Sequence, residues 1–496
     1  MDAPCPDPFN LADYVLSAAR REPGKIALAV LGPARAERWS YARLEAAVLG
    51  MAGALKSAGL GPADRVLLRL GNTVDFPVAF LGAVAAGLVP VPTAAGLTVP
   101  EITRLARLVT PSAILAQPDI ALPEGAACPV FTDIGAMMAH APGETVFGPP
   151  DRLAYLVFTS GSSGDPKAVA HAHRAVWARR MMFDGWYGLG REDRLLHAGA
   201  FNWTFTLGTG LLDPWAMGAT ALIPAPGVPI EALPLLMRRH DATILAAAPG
   251  VFRRLLRTEG DLHLPRLRHG LSAGEKLPEP LRARWTEATG TAVHEALGMS
   301  ECSTFLSGSP ARPAPEGTLG FAQEGRRLAV LDEDGVDLPV GEIGTLAVHR
   351  SDPGLMLGYW TGSGAPDLPL RGDWFETGDR VLLRPDGAYV YHGRRDDLIT
   401  AGGFRVAPQE IEAAFHGAPG VEDCAALAIS PNPDTTLIAL AHAGIAPEAA
   451  LAELAQARLA RYKQPRAYVH LDALPRSPNG KLDRRALAGL VRKALT

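Results

Sequence analysis

The chain contains, at residues 158–167, the sequence Phe158-Thr159-Ser160-Gly161-Ser162-Ser163-Gly164-Asp165-Pro166-Lys167. The apolar run Leu153-Ala154-Tyr155-Leu156-Val157 precedes it and predicts a buried strand, because it is short and rich in β-branched and aromatic residues. Glycines let a backbone approach a polyanion, while hydroxyls, backbone N–H groups and Lys167 can donate hydrogen bonds to it. The stretch therefore predicts a strand followed by a phosphate-binding loop, although glycine and serine alone also fit a flexible surface turn.

The loop does not have the Walker pattern, which requires four residues between its glycines and a lysine followed by serine or threonine. Here Lys167 follows Pro166 and precedes Ala168. The stretch instead resembles the phosphate-binding signature of the adenylate-forming superfamily, which includes acyl-CoA synthetases, adenylation domains of peptide synthetases and luciferases. Ala168 stands where that family usually has glycine. The resemblance implies that the phosphates of ATP bind to Thr159, Ser160, Gly161, Ser162, Ser163, Gly164 and Lys167.

Composition narrows the classes of partner. The 496 residues carry a net charge of −4 with interspersed signs, which predicts neither a nucleic-acid stripe nor a polybasic membrane anchor. The sequence has no apolar run of membrane-spanning length and no signal pattern at its start. The four cysteines show no CxxC spacing, which argues against a zinc site or a disulfide framework. We therefore expect a cytoplasmic protein, with Cys302 as a small buried side chain.

Alternating strand and helix patterns predict the α/β fold class with a parallel sheet and crossover helices. Examples are a strand at Ala27 to Leu31 and a helix capped by Ser40. The character of the sequence changes near Asp396, where a compact module of helices and strands begins. We expect a large N-terminal domain of parallel-sheet α/β subdomains at 1–395 and a small mobile C-terminal α+β domain at 396–496.

The segment from Leu195 to Ala225 is rich in aromatic residues, which more often fill a core than line a pocket. In the resembled family, the matching segment forms one wall of the acyl pocket. The sequence of this segment is most similar to those of benzoate and medium-chain acyl-CoA ligases. It lacks the aspartate with which amino-acid-activating relatives hold the ammonium group of the substrate. The resemblance implies an apolar substrate pocket formed by Phe201, Trp203, Gly298, Met299 and Phe305.

Two further motifs resemble the family's nucleotide site. Gly274 and Glu275 match a turn that lies against adenine and the acyl group, and Leu297 stands where an aromatic residue usually stacks on adenine. Ser300 and Glu301 match the family's Thr-Glu pair, whose carboxylate helps to hold Mg²⁺. By itself a Ser-Glu pair also fits a helix cap.

Charged residues later in the chain complete the predicted site. The Asp379 carboxylate can accept from both ribose hydroxyls, and Arg394 can donate to ribose or phosphate. Lys481 matches the family's lysine that contacts the carboxylate and the α-phosphate during adenylation. Read alone, the motifs around Asp379 and Lys481 are ordinary turns.

The resemblance also implies a conformational cycle. Asp396 matches the family's hinge residue, and Gly402, Gly403 and Phe404 match the loop that lines the thiol tunnel. Because one small module cannot present Lys481 and this loop at once, we expect it to rotate about Asp396 between two half-reactions.

The predicted activity is that of an ATP-dependent acyl- or aryl-CoA ligase that uses ATP, Mg²⁺ and coenzyme A. Catalysis would depend on positioning and charge neutralisation rather than on a side-chain nucleophile. His171 and His173 are read as structural, with contact to the substrate as the alternative. Rival functions are loading of an acyl group onto a carrier protein and an inactive nucleotide-binding regulator. A carboxylic acid, ATP and CoA are the expected partners, and an acyl carrier protein and a homodimer are further possibilities.

Overall fold

The computed structural model describes residues 4–159, 166–257, 262–362, 365–395, 399–401, 404–432, 435–459, 461, 463–477 and 480–495. Its α-helices are α1 (Leu11–Val15), α2 (Tyr41–Ser57), α3 (Asp75–Ala85), α4 (Val99–Val109), α5 (Ile134–Met138), α6 (Arg174–Ala178), α7 (Asp213–Met217), α8 (Leu233–Arg239), α9 (Pro249–Leu255), α10 (Glu279–Thr289), α11 (Pro408–Phe415), α12 (Glu448–Arg458) and α13 (Arg484–Leu495). Short 3₁₀ turns occur at Ser17–Arg20 and Ile230–Ala232, and π-helical turns at Phe183–Tyr187 and Thr206–Leu212.

The strands before residue 200 are β1 (Ile26–Leu31), β2 (Ala36–Ser40), β3 (Arg65–Arg69), β4 (Val89–Pro92), β5 (Ala113–Ala116), β6 (Val130–Phe131), β7 (Leu153–Thr159), β8 (Lys167–Ala172) and β9 (Arg194–His197). Those from 200 to 394 are β10 (Thr220–Pro224), β11 (Ile244–Ala247), β12 (His269–Ala273), β13 (Ala292–Met299), β14 (Ser303–Ser307), β15 (Phe321–Ala322), β16 (Leu328–Leu331), β17 (Ile343–His349), β18 (Gly358–Trp360), β19 (Trp374–Leu383) and β20 (Tyr389–Arg394). The C-terminal strands are β21 (Ile399–Ala401), β22 (Phe404–Val406), β23 (Val421–Asn432), β24 (Thr435–Gly444) and β25 (Ala467–His470).

The predicted α/β fold is confirmed by the largest sheet, whose order is β15-β14-β13-β12-β11-β9-β10-β1-β2. Its central strands from β1 to β13 are parallel, and its edges are antiparallel. A second parallel sheet has the order β4-β3-β5-β6. The apolar run of β1 is almost entirely buried, as expected of a strand covered on both faces. The Ser40 hydroxyl accepts from the Arg43 N–H at 3.2 Å and caps α2 as predicted.

Two antiparallel sheets stand beside these parallel ones. One pairs β18, β8 and β7, and the other has the order β16-β17-β19-β20. The apolar run from Leu153 is therefore a strand, as predicted, but it lies in an antiparallel sheet. Thr159 and Lys167 are partners across β7 and β8, so these consecutive antiparallel strands form a hairpin.

The chain after Ile399 builds its own core. The apolar side chains of β23 and β24 pack on α11 and α12 on one face and on β25 and α13 on the other, and both clusters contain only residues from this region. The helices and strands predicted for the C-terminal module include α11, β23, β24 and α12. Among the described helices, none combines the length and apolar character needed to cross a membrane.

Candidate active site

Lys167, at one end of the predicted phosphate loop, lies beside Tyr359. The Lys167 ammonium nitrogen lies 4.5 Å from the centre of the Tyr359 ring, on β18. This strand pairs with β8, the strand that begins at Lys167. Five predicted loop residues lie outside the described residues: Ser160, Gly161, Ser162, Ser163 and Gly164.

Tyr359 also connects the hairpin to Glu301. Its hydroxyl donates to Glu301 Oε1 at 2.9 Å, and burial followed by the neighbouring carboxylate raises the pKa of this tyrosine. Glu301 is 8% exposed and follows Ser300 in the turn between β13 and β14. The Glu301 carboxylate and the Lys167 ammonium group therefore both contact the Tyr359 side chain.

His171 forms a hydrogen bond with the backbone of this turn. Its Nε2 lies 2.7 Å from the Ser300 carbonyl, so this nitrogen carries the proton and donates. Burial lowers the pKa of His171 to about 4, and the ring stacks on Tyr155. His173 accepts from the Leu11 N–H at 3.1 Å, and burial lowers its pKa to about 3. Both histidines are therefore neutral and bound to backbone, in agreement with the structural interpretation.

Asp379 and Arg394 face each other across β19 and β20, where they are partners in the ladder. Arg394 Nη1 lies 3.7 Å from Asp379 Oδ1, and the Tyr391 hydroxyl donates to the same oxygen at 3.2 Å. The preceding Gly378 has φ +79°, and a Cβ there would lie 2.9 Å from the Arg394 guanidinium. The positive φ favours glycine here, and a larger residue would also displace the Arg394 guanidinium.

Lys481, in the C-terminal part of the chain, interacts electrostatically with Asp379 and Arg394. Burial lowers its pKa, and Glu275, Glu301 and Asp379 oppose that effect, whereas Arg394 reinforces it. The predicted lysine is thus within the electrostatic field of the predicted carboxylates, although it is separated from Glu301 by many residues of sequence. The structure brings these groups to one place.

Two glycines permit close approaches around Lys481 and Glu301. Gly274 has φ +97°, and a Cβ there would lie 2.7 Å from the Trp203 ring and 3.2 Å from Lys481 Cε. At Gly298 a Cβ would lie 2.3 Å from the Ser303 carbonyl oxygen. Because contacts this short are not tolerated, glycine at these positions lets the chain segments meet.

The Glu275 carboxylate holds the segment that carries Lys481. It accepts from the Leu482 N–H at 2.5 Å and from Arg476 Nη1 at 3.1 Å. Arg476 Nη2 also donates to Asp423 at 2.7 Å, and Arg253 Nη1 donates to the same carboxylate at 3.1 Å. These ion pairs join the first 395 residues to the C-terminal region. A nucleotide contact of Glu275 stays a prediction.

Some of the residues predicted for the substrate pocket are buried in the core, and others are partly exposed. Phe201 and Phe305 are at most 1% exposed, and Phe201 packs on Phe76 at 5.3 Å between ring centres. Their contact with an acyl group therefore stays a prediction. Trp203 is partly exposed and lies 5.5 Å from the Lys481 nitrogen. Met299 is also partly exposed, and Leu297 packs at the margin of the main core.

Cys302 is completely buried, as expected of a small side chain in the core. Its thiol lies 3.8 Å from Asp352, which forms a buried ion pair with Arg326 at 2.7 Å. Burial, followed by the Asp352 carboxylate, raises the pKa of the thiol. Cys302 is therefore protonated and packed, beside the site but not part of its chemistry.

A cavity of about 440 Å³ opens between the two parts of the chain. Trp203 and α9 line one side, and Asp423 and Arg476 line the other. Asp396, Gly402 and Gly403 lie outside the described residues, as does the side chain of Phe404. The predicted hinge and thiol-tunnel loop therefore stay predictions.

Family models match both parts of the chain. The model described as AMP-binding enzyme matches residues 15–360, and the model described as AMP-binding enzyme C-terminal domain matches residues 410–481. The first match covers more than half of the chain. The chain belongs to the AMP-binding enzyme family. The predicted resemblance to the adenylate-forming superfamily is thereby confirmed.

Several proteins that are similar to this AMP-binding enzyme are ligases of aromatic acids. A benzoate–CoA ligase of Thauera aromatica is 30% identical, with 90% of each chain covered. A 3-hydroxybenzoate–CoA ligase of Aromatoleum sp. (strain CIB) is 28% identical over 98% of this chain and 97% of its own. The crystal structure of the anthranilate CoA ligase AuaEII in complex with anthranoyl-AMP superposes with a TM-score of 0.88, at 25% identity and 99% coverage of both chains.

Three residues that position the predicted groups of this AMP-binding enzyme were not predicted from its sequence. Tyr359 is 58 residues from the Glu301 that it contacts, and Arg476 is 201 residues from Glu275. Asp423 lies in a strand without a motif. Arg476 lies five residues before the predicted Lys481, whereas Tyr359 and Asp423 became visible only through tertiary contacts.

Proposed function

We propose that this AMP-binding enzyme is an aryl-CoA ligase. It is an acid–thiol ligase that converts a carboxylic acid and ATP to an acyl adenylate and pyrophosphate, and then transfers the acyl group to the thiol of CoA with release of AMP. The observation that carries the proposal is the position of Lys481, which lies within the field of Glu275, Glu301 and Asp379. A lysine delivered from a separate core into a carboxylate-lined space can neutralise anionic reactants.

In the first half-reaction, a carboxylate oxygen attacks the α-phosphorus of ATP and pyrophosphate leaves. Both reactants are anions, so the protein has to bring positive charge to them. Lys481 supplies it between the acid and the α-phosphate, and Lys167 supplies it at the phosphate hairpin. Asp379 is proposed to accept from ribose hydroxyls, and Arg394, 3.7 Å from it, to donate to ribose or phosphate.

Magnesium fits this arrangement as a companion of the ATP phosphates. Among the described residues no group of three or more histidine, cysteine or acidic side chains could hold a metal ion by itself. Mg²⁺ commonly uses one or two carboxylates together with substrate phosphates, and Glu301 offers such a carboxylate. When bound, the ion would neutralise phosphate charge, and Tyr359 would orient the Glu301 oxygen toward it.

The second half-reaction requires a thiol to reach the acyl carbon. We propose the division 1–395 and 396–496, which the separate C-terminal core and the two family matches support. The cavity beside Trp203 gives a route between these parts. Gly402, Gly403 and Phe404 are proposed to line the thiol path after rotation about Asp396.

An aromatic acid is the proposed substrate class. Trp203 stands between Lys481 and the interior, where Phe205 lies at right angles to it with 5.0 Å between ring centres. Aromatic walls in this edge-to-face arrangement suit an aryl ring. The benzoate, 3-hydroxybenzoate and anthranilate ligases among the similar proteins support the same class.

Acid-dependent exchange of labelled pyrophosphate into ATP, measured over a panel of aryl and aliphatic acids, tests the proposal. We expect exchange with aryl acids, and AMP rather than ADP when CoA is added. The absence of exchange with every acid would favour the inactive regulator. A phosphopantetheinyl carrier protein offered in place of CoA tests the carrier-loading alternative, and light scattering of the purified protein tests a homodimer.

A further inference from the structure

Two buried polar atoms behind Trp203 lack hydrogen-bond partners among the described residues. They are Nε2 of His197, at the end of β9, and Oγ1 of Thr206, at the start of the π-helical turn. Both residues are 0% exposed. Most buried polar atoms in proteins are paired, so two orphans in one place call for an explanation.

Gly199 shows that the two side chains are neighbours. A Cβ on Gly199 would lie 2.2 Å from Thr206 Oγ1 and 3.0 Å from His197 Cε1. Both groups therefore lie against one backbone position, which also lines the cavity between the two parts of the chain. The missing side chain at residue 199 is what keeps the hydroxyl and the imidazole close together.

The hydrogen-bonding roles of His197 follow from its other nitrogen. The Gly199 N–H donates to Nδ1 at 3.0 Å, so Nδ1 is the acceptor and the proton of the neutral ring is on Nε2. Burial lowers the pKa of His197 to about 3, which keeps the ring neutral at physiological pH. The site thus contains an unpaired N–H donor and a hydroxyl that can accept.

Trp203 is a neighbour both of these groups and of Lys481. The Lys481 nitrogen lies 5.5 Å, and the His197 ring centre 6.4 Å, from the centre of the Trp203 ring. Phe205 closes the inner side, with its ring centre 4.4 Å from that of His197. An acid with its carboxylate at Lys481 and its ring beside Trp203 would direct a substituent toward His197 and Thr206.

We propose that His197 and Thr206 form a recognition site for a hydroxyl substituent on the aromatic ring of the substrate acid. The inference rests on the proposed function. The imidazole Nε2–H donates to the substituent oxygen, and the substituent donates its own proton to Thr206 Oγ1. A hydroxyl satisfies both orphan atoms at once, whereas a hydrogen atom satisfies neither. A methoxy group can accept from His197 but cannot donate to Thr206.

The test compares benzoate, its three monohydroxy isomers and the matching methoxybenzoates in the pyrophosphate-exchange assay. Leaving a buried polar group unpaired is costly, so we expect kcat/KM for one hydroxy isomer to exceed that for benzoate at least about tenfold. The corresponding methoxy compound should lose most of this preference. These measurements need only the wild-type enzyme.

Thr206→Val tests the residue, because valine keeps the shape and removes the hydroxyl. We expect the ratio of kcat/KM for the preferred hydroxybenzoate to that for benzoate to fall about tenfold. Thr209→Val is the matched control in the same π-helical turn, since the Thr209 hydroxyl is already bound to Tyr187 at 2.8 Å. This control should leave the ratio unchanged while lowering the melting temperature more than Thr206→Val does.

The outcomes separate this inference from the proposed function. If benzoate itself is activated as well as every hydroxy isomer, the enzyme is an aryl-CoA ligase and the hydroxyl site is wrong. The inference is also overturned if Thr206→Val and Thr209→Val change the ratio equally, which would assign a packing role to both. No activation of any aryl acid would overturn the proposed function instead.

Discussion

At the scale of single residues, Lys481 is the group on whose charge we propose that the first half-reaction depends. Replacing Lys481 by alanine removes the cation between two anionic reactants, so adenylation should fall by about 10² to 10³. Transfer from a supplied acyl adenylate to CoA should persist, because that step needs no charge neutralisation at the α-phosphate. Separate assays of pyrophosphate release and of thioester formation check both halves. Loss of both halves in a folded variant would contradict the assigned role.

The pH dependence of adenylation gives an independent measurement of the same charge. The protonated amine is the active form, and burial lowers the pKa of Lys481 from its usual value. The rate of the first half-reaction should therefore decline as pH rises through that lowered pKa. Arginine stays protonated throughout this range, so whatever activity Lys481→Arg retains should lack the alkaline decline.

Tyr359 has a positioning role that its hydroxyl alone should explain. Tyr359→Phe keeps the ring beneath Lys167 and removes the bond to Glu301, a charge-assisted bond of the stronger class. We expect about a tenfold loss of kcat/KM for Mg-ATP, since net contributions of such bonds are about 1.5–3 kcal/mol. Steady-state kinetics against Mg-ATP measure this effect. Wild-type kinetics in the phenylalanine variant would show that Glu301 is oriented by other contacts.

At the scale of elements, the turn after β12 places Trp203 and Lys481 around a single glycine. In Gly274→Ala the new Cβ would meet both side chains and would force a residue other than glycine to φ +97°. Small misplacements of reacting groups can cost 10² in rate, so we expect kcat to fall by at least about tenfold. The assay is pyrophosphate exchange at saturating ATP and acid.

Gly290→Ala separates backbone strain from this steric effect. Gly290 has φ +69° at the end of α10, and a Cβ there would meet nothing within 4 Å. Both variants should lose stability through strain of about 1–3 kcal/mol. Only Gly274→Ala should lose activity, so similar rates in the two variants would remove the argument for close approach.

The elements also show what the sequence could predict. Apolar runs such as Ile26–Leu31 and the cap at Ser40 are local signals, and both were predicted correctly. The pairing of Leu153–Thr159 with Lys167–Ala172 is a tertiary choice that no local pattern specifies. The same limit applied to the site, where motifs predicted Lys481 and Asp379 but not the distant side chains that hold them.

At the scale of the whole molecule, two separately cored parts are held together by ion pairs around Asp423. This carboxylate accepts from Arg253 in α9 and from Arg476, which also binds Glu275. Any rotation of the C-terminal part away from Lys481's present position would break these contacts. We therefore propose that the network favours the arrangement that serves adenylation and so influences the balance between the two half-reactions.

Asp423→Asn tests this balance, because it removes the charge that two arginines share and nearly preserves the side-chain shape. The pairs are partly exposed, with 14–23% of each side chain accessible, so we expect a loss of about 1 kcal/mol, or roughly fivefold slower adenylation. Thioester formation from supplied acyl adenylate should be unchanged or faster. Glu422→Gln is the control, since its pair with Arg257 is about half exposed and should contribute little. Equal slowing of both half-reactions by Asp423→Asn, or an equal effect of Glu422→Gln, would show that the network does not select between arrangements.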